Sequence, residues 1–290
     1  MILGMNRLPI AKRIQILSLL CEGNSMRSTS RLADVSINTV SKLLVDAGRV
    51  CAEFHDEKVR GVKARRVQVD EIWSFTYAKQ KNVAGASKAP AAAGDTWTWT
   101  ALDADSKLIV SWLVGGRDTD YAIAFMNDLR DRVSNRIQLT SDGHRPYLVA
   151  VEEAFGGDID YAVLQKIYGQ DANPEKRYSP AVCLGSKQET VCGAPNPKHI
   201  STSYVERQNL TMRMHMRRFT RLTNAFSKKF ENHMHMVALY TVFYNWTKIH
   251  KTLRTTPAMA AGLTERVWDM ADVAAMIEES EMLVPAAQAE

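Results

Sequence analysis

The stretch VQVDEIWSFTY, residues 67–77, is the segment from which the fold can be worked out. It is rich in β-branched and aromatic residues, which suit the pleated and half-buried surface of a sheet, so it predicts a strand. Asp70 lies inside this apolar run, where a charge is costly unless it is paired or bound to a metal. Glu71 competes for such a role. Adjacent strand residues face opposite ways, so we expect only one of the two to be a ligand.

Further elements follow in the order of a mixed α/β layer. Strands are predicted at 96–102, 107–114, 137–140 and 161–168, and helices at 118–133, 146–155, 203–220 and 227–249. Residues 169–200 hold Pro, Gly, Asn and Ser without a clear period, which predicts a loop or an insertion with little structure. The expected fold class is therefore α/β, with a mixed five-stranded sheet flanked by helices.

The first 57 residues are predicted to form three helices joined by tight turns. The apolar stripe of the third helix leaves four polar residues on another face near its N-terminus: Asn38, Thr39, Ser41 and Lys42. Such a polar face after a short helix and a tight turn is typical of a helix-turn-helix, whose second helix enters the major groove. An ordinary three-helix bundle is the alternative. The segment RLADVSINTVSKLL, residues 31–44, resembles the helix-turn-helix of resolvases and other DNA-binding proteins.

The charge of the chain is unevenly distributed. Its 290 residues carry a net charge of +5, and residues 207–230 hold seven Lys or Arg and no acid. A basic block of this kind favours contact with the DNA backbone, although a solvated helix face is the simpler alternative. The residues expected to contact DNA there are Arg207, Arg213, Arg217, Arg218 and Arg221.

Membrane and disulfide classes are disfavoured by the sequence. No apolar run approaches the roughly 20 residues that span a bilayer, and the N-terminus lacks a signal-peptide pattern. We therefore expect a soluble cytoplasmic protein without a membrane partner, associated with the nucleoid. Cys183, Cys192 and His199 do not match the spacings of structural zinc sites, so the cysteines are interpreted as small buried hydrophobes.

Two further carboxylates stand at places where chemistry is common. Asp142 follows the predicted strand 137–140, at the end where α/β proteins place ligands. Glu206 begins a helix that is otherwise basic, on one stripe with Arg213 and Arg217. Three carboxylates from two strands and a helix match the needs of two-metal phosphoryl transfer, in which Mg²⁺ prefers oxygen ligands.

Each of these carboxylates also has an ordinary interpretation. Asp70 could pair with Arg65 or Arg66. Asp142 and Gly143 could simply form a turn. Glu206 could be only a negative charge at the N-terminus of its helix, where it interacts favourably with the helix dipole. His144 is an accessory candidate beside Asp142, and Asn209 is one beside Glu206.

Four longer stretches carry a resemblance to a known family. They are VDEIWSF at 69–75, TSDGHRPY at 140–147, YVERQNLTMRMHMRRFTRLTNAFSKK at 204–229 and YNWTKIHKTLRTTPAMAAG at 244–262. Together they resemble bacterial insertion-sequence transposases of the DDE class, especially the insertion-sequence-one-like group. Members of that group often carry an N-terminal Cys-rich zinc finger, whereas this chain has only the predicted helix-turn-helix.

The resemblance implies a ribonuclease-H-like catalytic domain with Asp70, Asp142 and Glu206 as the DDE triad and as ligands of Mg²⁺, for which Mn²⁺ substitutes. It implies double-stranded DNA as partner, in the form of element ends and target, and a homodimer or larger assembly on DNA. The expected domains are a helix-turn-helix at 1–57, a basic linker at 58–66, the catalytic domain at 67–263 and an acidic helical tail at 264–290.

Two other functions compete with a transposase. One is a helix-turn-helix regulator whose α/β domain is inactive, which would bind DNA without cutting it. The other is a ribonuclease-H-like nuclease that cuts strands without joining them. Trp97, Trp99 and Trp112 are expected to lie in the core rather than to stack on bases, because aromatic residues in strands usually pack.

Overall fold

The computed structural model describes residues 8–169, 183–220 and 223–287, with side chains described up to residue 283. Within these ranges the α-helices span Ile10–Cys21 (α1), Met26–Ala33 (α2), Ile37–Lys58 (α3), Gln80–Val83 (α4), Thr119–Arg132 (α5), Pro146–Phe155 (α6), Ser203–His215 (α7), Phe230–Val242 (α8), Pro257–Ala260 (α9) and Met270–Ala287 (α10). The β-strands span Arg66–Thr76 (β1), Gly94–Asp103 (β2), Ile109–Gly115 (β3), Gln138–Ser141 (β4), Asp160–Tyr168 (β5) and Cys183–Cys192 (β6).

The strands form one mixed sheet in the order β3-β2-β1-β4-β5-β6. Strands β1 and β4 are parallel, as are β4 and β5, whereas β5 and β6 are antiparallel. The predicted mixed α/β layer with flanking helices is confirmed. The ribonuclease-H-like assignment and the helix-turn-helix stay predictions.

Strand β6 corrects the expected number of strands from five to six. It lies within residues 169–200, where a loop or an insertion with little structure was predicted, and it pairs with β5 from Tyr161–Cys192 to Tyr168–Cys183. Nine of its ten residues are exposed, so neither face of the strand needs apolar side chains. Without a buried face there is no alternation of apolar and polar residues for the sequence to show. Cys183 is exposed and Cys192 half-buried, so the interpretation of the cysteines as buried hydrophobes is right only for Cys21 and Cys51.

Capping residues explain where several helices begin. The side chain of Ser25 accepts a hydrogen bond from the backbone N–H of Ser28, and that of Ser36 accepts one from Thr39. Asp118 accepts from the first turn of α5. Each satisfies N–H groups that have no partner inside the helix. Helix α7 is shorter than the predicted 203–220. It ends at His215, and a 3₁₀ turn follows at Arg217–Phe219.

The chain divides into two compact units. The sheet unit comprises Gly61–Glu71 and Trp99–Arg207, and the helical unit comprises Met1–Arg60, Ile72–Thr98 and Gln208–Glu290. In the helical unit α3 packs closely against α8, since a Cβ atom added at Gly48 would lie 2.3 Å from the Cβ of His235. The four domains expected from the sequence stay a prediction, and the division by packing runs across them.

No helix in the described part of the chain is long and apolar enough to cross a membrane. The core of the sheet unit contains large side chains that are fully buried: Trp99, Phe125, Tyr147 and Tyr161. Trp99 therefore lies in the core as predicted, whereas Trp97 and Trp112 are half-buried.

Candidate active site

The register of two parallel strands brings the predicted aspartates together. Gln68 of β1 pairs with Thr140 of β4, so positions 70 and 142 lie two residues further along each chain in the same direction. Adjacent strands lie about 4.8 Å apart. Strand β4 ends at Ser141, and the Asp142 carboxylate then accepts a hydrogen bond of 2.9 Å from the backbone N–H of His144. Asp70 and Asp142 therefore follow paired positions of neighbouring strands, and both line the same cavity.

The third carboxylate is positioned by a side chain of the same strand. The Oε1 atom of Gln68 accepts hydrogen bonds from the backbone N–H groups of Tyr204 and Val205, at 2.8 and 3.1 Å. These N–H groups belong to the first turn of α7, which has no intrahelical acceptor for them. Gln68 is buried, and it lies two residues before Asp70. It therefore fixes the start of the helix that carries Glu206 relative to the strand that carries Asp70.

Two neighbours hold the carboxylate of Glu206. The Thr202 hydroxyl donates a hydrogen bond of 2.6 Å to Oε1 of Glu206, and the Lys166 ammonium lies 2.5 Å from the same oxygen and also contacts Oε2. Thr202 is buried, whereas Glu206 and Lys166 keep 38% and 30% of their side-chain surface exposed. Lys166 supplies the positive charge nearest to Glu206 in this arrangement.

The electrostatics of Asp70 are those of a crowded acidic site. Its pKa is raised from 3.8 to about 7, mainly by burial and in addition by the charges of Glu71, Asp142 and Glu206. Burial disfavours the charged form of a carboxylate, and neighbouring carboxylates disfavour it again. These surroundings therefore disfavour a negative charge on Asp70 and favour a proton or a cation at this carboxylate.

Glu71, the neighbour of Asp70 on β1, has a buried side chain that pairs with another residue of the protein. Its side chain is 1% exposed and accepts a hydrogen bond of 3.0 Å from Nε of Arg117. Burial raises the pKa of Glu71, while Tyr147 and Arg117 oppose that effect. Glu71 and its buried neighbour Tyr147 are therefore interpreted as structural residues. Asp70 is more exposed and is the better ligand candidate.

His144 lines the cavity and its ring lies near buried aromatic side chains. Its ring lies 5.8 Å from that of Trp99 and 5.9 Å from that of Tyr147. Burial lowers the pKa of His144, and the charge of Arg117 lowers it further. The imidazole is therefore neutral at physiological pH, in keeping with an accessory role rather than that of a fixed cation.

A single cavity collects these groups within the sheet unit. It measures about 820 Å³, and its lining includes Asp70, Asp142, Glu206, Arg117, His144 and Lys166. Among the described residues, no group of three or more acidic, histidine or cysteine side chains stands close enough to hold a metal as arranged. All three carboxylates line this one cavity and supply the oxygen ligands that Mg²⁺ prefers, and the ammonium of Lys166 contacts Glu206 in place of another cation.

The basic residues that were expected to contact DNA differ in their exposure and in their hydrogen bonds. Arg207 and Arg217 are exposed, and Arg213 donates a hydrogen bond of 3.2 Å to the carbonyl of Phe219. Because α7 ends at His215, Arg217 does not continue its stripe, which corrects that expectation. Asn209 is buried. Arg221 lies outside the described residues.

The four residues expected to read bases all lie at the start of α3. Asn38 and Lys42 are exposed, and Lys42 forms an ion pair of 3.1 Å with Asp46 one turn later. Thr39 and Ser41 are half-buried, and Ser41 accepts a hydrogen bond of 3.4 Å from Asn232. Their role in DNA contact stays a prediction.

Sequence reasoning missed Arg117 and Lys166, which line the cavity, and Gln68, which holds the start of α7. Gln68 did leave a signal, since it is a second polar residue in the apolar run VQVD. Arg117 and Lys166 left none, because their partners Glu71 and Glu206 are 46 and 40 residues away.

Comparison with known proteins yields little. No protein-family model matches the chain, and no curated protein matches it. Among solved structures, the chain is similar to the piggyBac transposase in a synaptic complex with hairpin DNA, at a TM-score of 0.31 and 11% sequence identity. The match covers 74% of this chain and 52% of that one, so the chain spans about half the length of that transposase. Likeness at this level does not establish a shared fold.

Proposed function

We propose that this chain is a transposase of a bacterial insertion sequence, which cuts DNA at the element ends and joins the freed 3′-hydroxyl to target DNA. The observation that carries the proposal is the cavity lined by Asp70, Asp142 and Glu206, with the pKa of Asp70 raised to about 7 by burial and by its acidic neighbours. Clustered carboxylates of this kind are useful to an enzyme that binds divalent cations. The resemblance of the surrounding stretches to DDE transposases, and with it a ribonuclease-H-like domain, agrees with this chemistry.

Asp70, Asp142 and Glu206 would hold Mg²⁺ or Mn²⁺ through their carboxylate oxygens. When bound, the metal makes an attacking hydroxyl more acidic and stabilises the leaving oxygen of the phosphodiester. For Glu206 to join the other two ligands, its carboxylate must exchange the Lys166 ammonium for the metal. Lys166 then stays in the cavity as a cation that can bind a phosphate oxygen.

Other groups of the cavity orient the reacting DNA. The guanidinium of Arg117 is paired with Glu71, is 35% exposed and lines the cavity, so it would place a positive charge beside a phosphate there. Gln68 keeps Glu206 in place by capping α7. We include double-stranded DNA as partner, with Asn38, Thr39, Ser41 and Lys42 contacting the element ends and the arginines of 207–221 contacting backbone.

The test is metal-dependent cutting and joining of a labelled duplex that carries the inverted repeat bordering the coding sequence. We expect Asp70→Asn, Asp142→Asn and Glu206→Gln each to lower the cutting rate at least about a thousandfold while DNA binding persists. Glu152→Gln is the matched control, since this carboxylate is exposed on α6 outside the cavity lining. It should cut like the wild type.

Each other outcome identifies a competing function. Cutting by Asp142→Asn at the wild-type rate overturns the assignment of the triad. Wild-type protein that binds DNA without cutting favours the regulator. Cutting without joining favours the nuclease.

A further inference from the structure

Three aromatic rings form a half-buried cluster in the helical unit. The ring of Phe75 lies 5.8 Å from that of Trp73 and 4.8 Å from that of Phe226, tilted by 40° and 32°. All three side chains keep part of their surface exposed. They line a pocket of about 570 Å³ together with residues that follow α7. Aromatic faces left open in this way can accept a flat partner.

The charged side chains that line this aromatic pocket are cationic. Lys79, Arg213 and Arg218 line it, and none of its described lining residues is acidic. The ammonium of Lys79 lies 5.9 Å from the centre of the Trp73 ring, and that of Lys228 lies 4.3 Å from the centre of the Phe226 ring. The flat partner that suits this pocket is therefore joined to a negative charge.

Arg218 is an independent sign of an anion at this place. Its guanidinium donates to the Ser227 hydroxyl at 3.1 Å and to the backbone carbonyl of Asn232, both of which are neutral. Burial lowers the pKa of Arg218 to about 10. Arg218 is half-buried and lines the pocket, and the groups that it contacts carry no counter-charge, so an arriving phosphate would be favoured there.

We propose that this pocket binds a single unpaired nucleotide of a DNA strand, with its base against Trp73, Phe75 and Phe226 and its phosphate near Arg213 and Arg218. The base must be unpaired and unstacked, because both of its faces are covered by neighbours inside a duplex. Stacking of bases on aromatic rings tolerates any sequence, since every base has a π-face. The proposal deepens the proposed function and rests on DNA being the partner.

The experiment compares two oligomers of equal length on the full chain without divalent metal. One is a short single-stranded oligothymidylate, and the other is an abasic strand with the same phosphates. Fluorescence anisotropy should show tighter binding of the base-bearing strand by roughly tenfold, which corresponds to the loss of about one stacked base. Binding of this strand should also quench tryptophan fluorescence.

Variants assign the preference to the pocket. Trp73→Leu and Phe226→Leu should each remove most of the preference while leaving the binding of the abasic strand unchanged. Trp73→Phe keeps a ring and should retain the preference while losing the quenching. Trp268→Leu is the matched control, because Arg266 also stacks over Trp268 at 5.4 Å and this residue does not line the pocket. It should behave as the wild type.

Two results would overturn the proposal, and they can be told apart. Duplex binding combined with equal affinity for the two oligomers overturns the pocket alone and leaves the transposase proposal standing. Failure to bind duplex and both oligomers overturns the proposed function and the pocket with it. Unchanged preference in correctly folded Trp73→Leu and Phe226→Leu also overturns the pocket, whatever the wild type shows.

Discussion

The carboxylate cavity contains side chains of both charges, whereas the charged lining residues described for the aromatic pocket are all cationic. Asp70, Asp142 and Glu206 line the cavity beside Arg117, Arg145 and Lys166, and burial and the acidic neighbours raise the pKa of Asp70 to about 7. The pocket has cationic side chains and rings and no acid among its described lining residues. A negatively charged DNA strand can therefore enter the pocket without opposition, whereas in the cavity the three carboxylates repel a phosphate and a bound metal would offset that repulsion.

This contrast teaches that DNA binding and DNA chemistry can be separated in this molecule. Neutralising a carboxylate in the cavity should impair the reaction and leave DNA binding intact. Removing a cation or a ring from the helical unit should do the reverse. The predictions below test this separation, beginning with the largest expected effect.

The pH dependence of stability should show the acidic character of the cavity most clearly. Because the folded-state pKa of Asp70 is raised from 3.8 to about 7, the folded protein binds this proton more tightly than the unfolded chain does. The stabilisation from Asp70 is therefore full below about pH 4 and is lost as the pH rises through about 7. One pKa unit corresponds to about 1.4 kcal/mol, so the loss is about 4 kcal/mol at most.

Denaturant unfolding of metal-free protein across this pH range measures the effect, with Asp70→Asn as the comparison. The variant should show a flatter pH profile. Mg²⁺ should stabilise the wild type more above pH 7 than at pH 5, because the proton competes with the metal. Equal stabilisation by Mg²⁺ at both pH values in wild type and variant would contradict a metal at Asp70.

Glu71→Gln tests whether Glu71 has a structural role rather than the role of a metal ligand. The substitution removes the charge of a buried carboxylate that pairs with Arg117 at 3.0 Å; because Arg117 is 35% exposed and burial raises the pKa of Glu71, we expect a loss of at most about 2 kcal/mol in the free energy of unfolding. Once the variant is compared at equal amounts of folded protein, it should still cut DNA. A variant as stable as the wild type but inactive would instead make Glu71 the ligand in place of Asp70.

Gln68→Leu tests the link between β1 and α7. The change leaves the N–H groups of Tyr204 and Val205 without their acceptor, which we expect to cost about 2 kcal/mol. Cutting should also fall, because Glu206 is no longer held in place. Gln138→Leu is the matched control on β4, since Gln138 also makes two hydrogen bonds, both to Asn196 at the surface. A smaller effect for Gln68→Leu than for the control would contradict the capping role.

The smallest expected effect concerns the basic residues after Glu206. Replacing Arg213 and Arg217 by Ala should flatten the salt dependence of DNA affinity by a log–log slope of about 0.9 for each phosphate contact that is lost. Arg266→Ala is the control, because this exposed arginine is already paired with Asp272. An unchanged slope in the double variant would place these arginines on a solvated surface.

Much of the local structure could be predicted because it depends on short-range patterns. The strand around Asp70 and the helices at Ile37–Lys58 and Pro146–Phe155 each repeat apolar residues at the period of the element they form. The position of Asp142 after a short apolar strand was sufficient to predict its place at the strand end. The order of the elements followed from these local signals.

What the sequence alone determined is thus five of the six strands, most of the longer helices and the identity of the three carboxylates as candidates. Tertiary structure decided that Gln68 caps α7, that Lys166 holds Glu206, and that β6 adds a sixth strand. It also decided that Phe226 reaches Phe75 from about 150 residues away in the chain. The reason is physical: periodicity reports which face of an element is buried, whereas a hydrogen bond, an ion pair or a ring contact between distant residues leaves no periodic trace in either segment.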